Sequence, residues 1–321
     1  MKLTAKKIFG GLSHPLATIV HLIGFKICAC LPDKFYLKCE YKYQMGKGLD
    51  LKNPKTFNEK LQWLKLYDRR PLYTTLVDKV KVRNYIADCL GEKYLVPLVG
   101  VWSEPDQINF DALPNKFVLK CNHNSGKGMC ICKDKAKIDI NKVKANLKLG
   151  LKENYFFHGR EWPYKTVPHR ILGEHYMCDD DSVQPDRQEL SDFKFYCFNG
   201  YVDCVMVCFD RASGDTKFYF FDKSWNLKRI NKRGKNAPEG FTLPKPQCLD
   251  EMFEIAAELS KNIPFVRVDL YQSNGKVYFG EMTFFPQGGW DPNYLPETDE
   301  YFGNLIDLSL AYNYADSGTG N

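Results

Sequence analysis

Lys120 stands at the head of a polar run, Asn122-His123-Asn124-Ser125-Gly126-Lys127-Gly128, set between two apolar stretches. Glycine permits the close approach and positive φ that let backbone N–H groups face phosphate oxygens, and Lys120 and Lys127 would add positive charge. The run has neither the Walker A spacing nor a dinucleotide fingerprint, and no helix follows it directly. A hairpin turn with solvated lysines explains it equally well. Farther along, Asp269 lies between Val268 and Leu270, and Glu281 lies near Phe279 and Met282, in surroundings where an uncompensated charge is costly. Magnesium suits such a pair, being hard and usually held by one or two carboxylates together with phosphates. Arg267 falls on the same strand face as Asp269 and could clamp an anionic substrate or a developing charge. The competing explanation is a cross-strand ion pair between Arg267 and Glu281.

Other reactive residue types carry less. His123 could contact a phosphate from its loop, although a solvent-facing side chain is the simpler expectation, and His158 and His169 flank Trp162-Pro163-Tyr164 without metal-ligand spacing. The 12 cysteines include two C-x-C pairs, Cys28 with Cys30 and Cys130 with Cys132, but no C-x-x-C, so a zinc ribbon and a thioredoxin-type motif are both excluded. Cys204 and Cys208 sit in an apolar run and read as small buried hydrophobes. Reduced thiols in a cytoplasmic protein are the expectation. Trp63, Trp162 and Trp290 could stack on sugar rings, although core packing is the simpler role.

The elements that must position these groups are legible. Thr56 is an expected N-cap ahead of Phe57, Leu61 and Leu64, and apolar spacing predicts one helix over 76–90 that Gly91 ends. Strands are expected at 94–102, 117–121, 129–133, 170–177, 192–199, 201–209, 217–221, 265–271 and 276–282, and helices at 142–151 and 249–261. Asn199-Gly200 and Ser273-Asn274-Gly275 are hairpin turns. Four regions follow: a basic, apolar segment over 1–32, a mixed α/β domain over 33–112, a lobe with the glycine-bearing loop over 113–172, and a second lobe with the Asp269/Glu281 hairpin over 173–321. In the first, Lys2, Lys6 and Lys7 precede an apolar stretch interrupted by His21 and Lys26, which disfavours a signal peptide or membrane span and leaves an amphipathic segment on the core or on the inner membrane surface.

A net charge of +6, from 45 basic against 39 acidic residues, is too mild for a dedicated nucleic-acid binder and compatible with phosphate ligands or an anionic surface. The 44% hydrophobic content excludes disorder, and the absence of a fixed-period repeat argues against a solenoid.

In order along the chain, Lys120, the glycine loop, Glu174, Lys194 in Asp192-Phe193-Lys194-Phe195, Arg267-Val268-Asp269 and Gly280-Glu281-Met282-Thr283 resemble ATP-grasp enzymes. Thr56-Phe57-Asn58-Glu59-Lys60-Leu61-Gln62-Trp63, Asp78-Lys79 and Phe198-Asn199-Gly200 bring the resemblance closer to the TupA-like ATP-grasp family, which is associated with teichuronopeptide and surface-polysaccharide biosynthesis; it runs from about residue 35 to 310. The resemblance implies an α+β ATP-grasp fold with the nucleotide between two lobes, and ATP and Mg2+ as cofactors. It also implies that Lys120, Lys194 and more weakly Lys79 hold phosphates, and that Ser125, Gly126, Lys127 and Gly128 close over them. Adenine would be received by Glu174 and the backbone near His175 and Met177, and the ribose by Asp181. Asp269 and Glu281 would ligate magnesium, while Arg267 and Lys194 steady the transferred group.

The chain departs from the common pattern at Thr283, where many ATP-grasp enzymes carry an asparagine ligand, so the second metal site is in question. The loop Pro286-Gln287-Gly288-Gly289-Trp290 could line an acceptor pocket. The implied activity is ATP-dependent carboxylate–amine ligation through an acyl phosphate, with small or polysaccharide-linked substrates. Phosphorylation of a sugar or lipid hydroxyl, glycosyl transfer, and a non-catalytic nucleotide-binding scaffold are the alternatives.

Overall fold

A computed structural model describes residues 15–22, 28–178, 191–209 and 216–311, and its strands gather into two antiparallel sheets. The smaller has the order β1-β4-β2-β3, built from β1 (Leu98–Trp102), β2 (Phe117–Cys121), β3 (Cys130–Cys132) and β4 (Ile171–His175). The larger has the order β10-β9-β5-β6-β7-β8, from β5 (Ser191–Phe198), β6 (Tyr201–Phe209), β7 (Lys217–Phe221), β8 (Leu227–Lys228), β9 (Val266–Ser273) and β10 (Lys276–Thr283). Helices are α1 (Pro15–Leu22), α2 (Asp33–Met45), α3 (Phe57–Tyr67), α4 (Pro71–Val77), α5 (Val82–Leu90), α6 (Ile140–Leu151), α7 (Phe156–Gly159), α8 (Lys232–Lys235), α9 (Leu249–Leu259) and α10 (Pro296–Leu305). The class is α+β, as expected.

Local chemistry accounts for the boundaries that matter to the site. Thr56 and Glu59 form a capping box at the start of α3, each side chain accepting from the other's backbone N–H, worth about 1 kcal/mol. Asn199-Gly200 and Asn274-Gly275 take positive φ at both positions, the geometry of two-residue turns that match strand twist. The single helix expected over 76–90 is instead two. Asp78 leaves the helical path after α4, and its carboxylate accepts from the Val80 N–H at 2.9 Å and from Asn122 Nδ2 at 2.7 Å. An aspartate that bonds its own backbone two residues on competes with helix continuation, and here it also ties the break to the polar loop.

Successive residues of β5 face opposite sides of the larger sheet. Phe193, Phe195 and Cys197 point to one side, where α9 packs with Met252, Phe253 and Ala256 buried. Asp192, Lys194, Tyr196 and Phe198 point to the other, where Tyr196 and Phe198 join Phe57, Phe265, Tyr294 and Phe302 in an aromatic cluster beneath α3 and α10. Helices α2 to α5 thus share one continuous core with the larger sheet, while the smaller sheet and α6 enclose a separate core around Phe117, Leu119, Leu147 and Ile171. β1 comes from the 33–112 segment and pairs with β4, so that segment contributes to the smaller sheet as well. Six of the described cysteines, Cys39, Cys121, Cys132, Cys197, Cys204 and Cys208, are buried. Among the described residues no helix is long and apolar enough to cross a membrane.

Candidate active site

The charged centre is built on three adjacent strands. Lys194 on β5 lies opposite Asp269 on β9, and Asp269 lies opposite Glu281 on β10. That last alignment depends on a bulge. Phe279 pairs with Leu270 and Glu281 with Asp269, leaving Gly280 as the extra residue; in regular register Glu281 would oppose Val268 and point to the other face. Glycine fits because a Cβ at 280 would come within 2.8 Å of the Tyr271 ring and 2.9 Å of the Asp269 carbonyl.

Arg267 grips Asp269 with two bonds of 2.7 Å, from Nε to Oδ1 and from Nη2 to Oδ2. Nη2 also donates to Thr283 Oγ1 at 3.0 Å and lies 3.5 Å from Glu281 Oε1. Lys194 bridges Asp192, at 2.7 Å, and Asp269. The cross-strand ion pair with Glu281 is thus present, but Arg267 is committed first to Asp269. Burial opposes the Arg267 charge, and Asp269 more than reverses this, raising its pKa well above the ordinary value. Glu281 is different. Its side chain is 35% exposed to the cleft, with Lys79 Nζ 3.4 Å away. Burial works against its ionisation, but Lys79, Lys194, Arg267 and Lys120 outweigh it and hold the carboxyl at about 2.

Two carboxylates and the Thr283 hydroxyl on one sheet face fit magnesium in donor type. Both oxygens of Asp269 are engaged by Arg267 and Lys194, so Glu281 is the readier ligand. Among the described residues no group of three or more His, Cys, Asp or Glu forms a self-sufficient metal cage. Phosphate oxygens or water would have to complete the shell.

The polar loop is held from behind. Asn122 donates to Asp78 and to the Pro168 carbonyl, and its own side-chain oxygen accepts from the Arg170 N–H. Gly126 and Gly128 have φ of +83° and +76°, and a Cβ at 128 would lie 2.9 Å from Gly150 Cα on α6. The break at Asp78 brings Lys79 to the loop, where Nζ donates to the Asn124 carbonyl at 3.0 Å. Ser125 borders the cleft, and Lys127 reaches Glu153 at 3.5 Å. His123 does not face solvent. It is 1% exposed, stacked on His169 with ring centroids 3.7 Å apart, and bonded to Asn122 and the Glu153 carbonyl. Burial first, then His169, lowers its pKa to about 4. Its loop folds against α6 instead of projecting, which polarity alone did not foretell.

At the other end, Glu174 is clamped by Lys120 at 2.6 Å and by Arg83 at 3.1 Å, and Arg83 also donates to the Val96 carbonyl. The His175 N–H is taken by the Pro97 carbonyl and its side chain is exposed; Met177 follows the strand end half-buried. Asp181 lies outside the described residues.

A cleft of about 270 Å³ runs from Lys79, Asn124 and Ser125 past Arg267, Glu281 and Thr283 to Tyr155, Glu161, Tyr164 and Trp290. Its far wall is braced by α3. Gln62 Nε2 donates to the Gly288 and Gly289 carbonyls at 3.1 and 2.6 Å, and Lys65 Nζ donates to Gln62 Oε1, Gly159 O and Gly288 O at 3.0, 2.7 and 2.6 Å. Asn58 accepts from the Asp291 N–H. The motif around Thr56 thus acts as a bracket for the 286–290 loop, in which Gln287 and Gly288 take positive φ. Burial pulls the Lys65 ammonium down to about 7, against Glu161 and Glu40, and pushes the Glu161 carboxyl up to about 7.

Sequence reasoning passed over Arg83, Lys65 and Glu161. Signals existed for the last two. Lys65 falls four residues after Leu61 on the apolar face of α3, and Glu161 sits among Phe156, Phe157, Trp162 and Tyr164, the same anomaly that singled out Asp269.

Residues 59–307 match the TupA-like ATP-grasp family (TupA-like ATPgrasp). The chain belongs to that family. The ATP-grasp fold and ATP as the nucleotide go with membership, as the sequence implied. No curated protein matches the chain in sequence. Among solved structures, D-alanine–D-alanine ligase from Helicobacter pylori shares 13% identity over 79% of this chain and 70% of that one, with a TM-score of 0.42. The Bacillus anthracis D-alanine–D-alanine ligase complexed with ATP shares 13% over 76% and 67%, at 0.43. D-cycloserine synthetase DcsG shares 14% over 79% and 78%, at 0.38. Superpositions this loose carry no argument about substrate.

Proposed function

We propose that this TupA-like ATP-grasp protein joins a carboxylate to an amine in surface-polysaccharide assembly, through an acyl phosphate, with ADP and phosphate as products. The observation that carries this is the meeting of Lys79, Arg267 and Glu281 with Asn124 and Ser125 of the polar loop along one cleft, beside the Asp269 that Lys194 and Arg267 share. A substrate carboxylate oxygen attacks the γ-phosphorus and ADP departs. Arg267 and Lys194, held at this face by Asp269 until the nucleotide arrives, meet the charge spread over the transferring phosphoryl group. Magnesium, when bound, would supply neutralisation of phosphate charge, and Glu281, Thr283 and, once released from its cations, Asp269 would hold it. The loop and the aromatic wall keep water from the acyl phosphate. Each phosphate-binding cation has a carboxylate partner, Lys120 with Glu174, Lys194 with Asp269 and Lys79 with Glu281, so nucleotide binding exchanges these partners instead of recruiting solvated lysines.

The reading includes a cytoplasmic enzyme whose basic N-terminal residues, which lie outside the described part, meet the inner membrane surface. It is tested by supplying Mg-ATP with uronic acids and amino acids, following phosphate release, and trapping with hydroxylamine. Hydroxamate formation is expected. A stable phosphorylated product would make the protein a kinase, and ATP-independent transfer from a nucleotide sugar would make it a glycosyltransferase.

A further inference from the structure

The aromatic end of the cleft carries a carboxylate that phosphoryl transfer does not use. Glu161 is 4% exposed and borders the cleft beside Tyr155, Tyr164 and Trp290. Every other buried acid of the centre has its cation: Asp269 has Arg267 and Lys194, Asp192 has Lys194, and Glu174 has Lys120 and Arg83. Among the described residues no lysine, arginine or histidine forms an ion pair with Glu161 and no side chain donates to its carboxylate. The nearby Lys65 is spent elsewhere, on Gln62 and two backbone carbonyls, with its ammonium 4.1 Å over the Trp290 ring. Those bonds tie the segment bearing Glu161 to the loop bearing Trp290, so the corner is held open by its own scaffold. A buried carboxylate that feels Lys65 and Arg267 only at a distance, with no direct ion pair, is costly, and this one borders the cleft.

We propose that Glu161 receives the acceptor's primary amino group as an ammonium ion, in the corner walled by Tyr155, Tyr164 and Trp290. Aromatic faces favour a desolvated cation, and the carboxylate gives it a fixed ion-pair partner. The inference rests on the ligase reading and names the acceptor class, a primary alkylamine. In the second half-reaction Glu161 accepts one proton from the ammonium. The freed lone pair attacks the acyl carbon, a C–N bond forms, the C–O bond to phosphate breaks, and the second nitrogen proton leaves with hydrogen phosphate. A carboxyl raised by burial toward neutral pH is suited to taking that proton.

The decisive variant is Glu161→Gln, which keeps the shape and removes the charge. With Mg-ATP and a carboxylate substrate, it should form hydroxamate with hydroxylamine at the wild-type rate, because that neutral nucleophile needs no base. Coupling to a primary amine should fall about 100-fold or more, with a raised KM for the amine. Glu161→Asp should recover part of the coupling. Unchanged amine kinetics in Glu161→Gln, or equal loss of hydroxamate and amide, overturns the proposal. A second arm does not depend on turnover: saturation-transfer NMR of ethylamine, with ethanol as the neutral control, on protein holding a non-hydrolysable ATP analogue and Mg2+. An ethylamine signal that vanishes in Glu161→Gln supports the site, and a signal equal to wild type sinks it. Failure of the wild type to form any hydroxamate, with the ethylamine signal still dependent on Glu161, would instead count against the ligase reading.

Discussion

Each ionisable side chain in the cleft is defined by what its neighbours leave it. Asp269 and Glu281 are cross-strand partners with opposite fates, because Arg267 and Lys194 consume the first while the second keeps an open side toward the cleft. Lys79 stands foremost among the groups that hold Glu281 ionised. Lys79→Ala should therefore raise the Glu281 pKa and weaken Mg-ATP binding by about 10- to 150-fold, since a charge-assisted contact contributes about 1.5–3 kcal/mol. Titration calorimetry with Mg-ATP reads this, and an unchanged dissociation constant would remove Lys79 from the site. Arg267→Lys keeps the charge but cannot span both oxygens of Asp269 or hold Thr283. Turnover should fall by about 100-fold with nucleotide affinity nearly intact; an equal loss in both would mean that Arg267 serves the ground state. Thr283, where the chain departs from the common ATP-grasp asparagine, is an anchor for Arg267 as well as a candidate ligand.

At the level of elements, two interruptions do more than the regular stretches. The Asp78 break swings Lys79 onto the loop, and the Gly280 bulge turns Glu281 to the active face. Gly280→Ala should cost about 1–3 kcal/mol from overpacking against Tyr271 and the Asp269 carbonyl, and should lower turnover by more than its effect on thermal midpoint explains. Denaturant melts paired with ATPase assays separate the two effects. The loop also carries a pH dependence. His123 has a folded pKa of about 4 against about 6.5 when unfolded, so the unfolded chain binds more protons between those values. Stability is full above about pH 6.5, declines as pH falls, and levels off below about 4, with a total loss on the order of 3 kcal/mol. Melts across that window should show the decline flattened in His123→Gln; an identical slope would assign it to other groups. Both breaks were illegible as such, because apolar spacing counts residues and cannot detect the side-chain bond at Asp78 or the register slip at Gly280.

Across the whole molecule, two cores meet at the cleft. Helices α2 to α5 bury Phe57, Leu61 and Trp63 in the same core as the larger sheet, whereas β1 to β4 and α6 have their own. Hydrogen exchange should accordingly protect α3 and the β5–β9–β10 strands together at the global free energy, with the smaller sheet exchanging earlier as a unit. Exchange of α3 with the smaller sheet instead would contradict the shared core. Phe302, fully buried in the aromatic cluster, is the sensitive point: Phe302→Ala should cost about 3–5 kcal/mol and lower the protection of α3 and the larger sheet alike.

What the amino-acid order determined by itself was local or sequential. Turn chemistry at Asn199-Gly200, capping at Thr56, the alternation of the strands and the ordered motifs from Lys120 to Thr283 sufficed for the elements, the family and most of the charged residues. Only the tertiary structure decided which cation meets which acid, that His123 is buried, and that Lys65 is diverted to backbone carbonyls while Glu161 is left facing the cleft. The physical reason is that periodicity and turns are set by neighbours in the chain. A buried charge is set also by groups distant in the chain, 75 residues apart for Lys194 and Asp269 and 91 for Arg83 and Glu174, brought into range by a bulge, a helix break and the packing of α3 against the sheet.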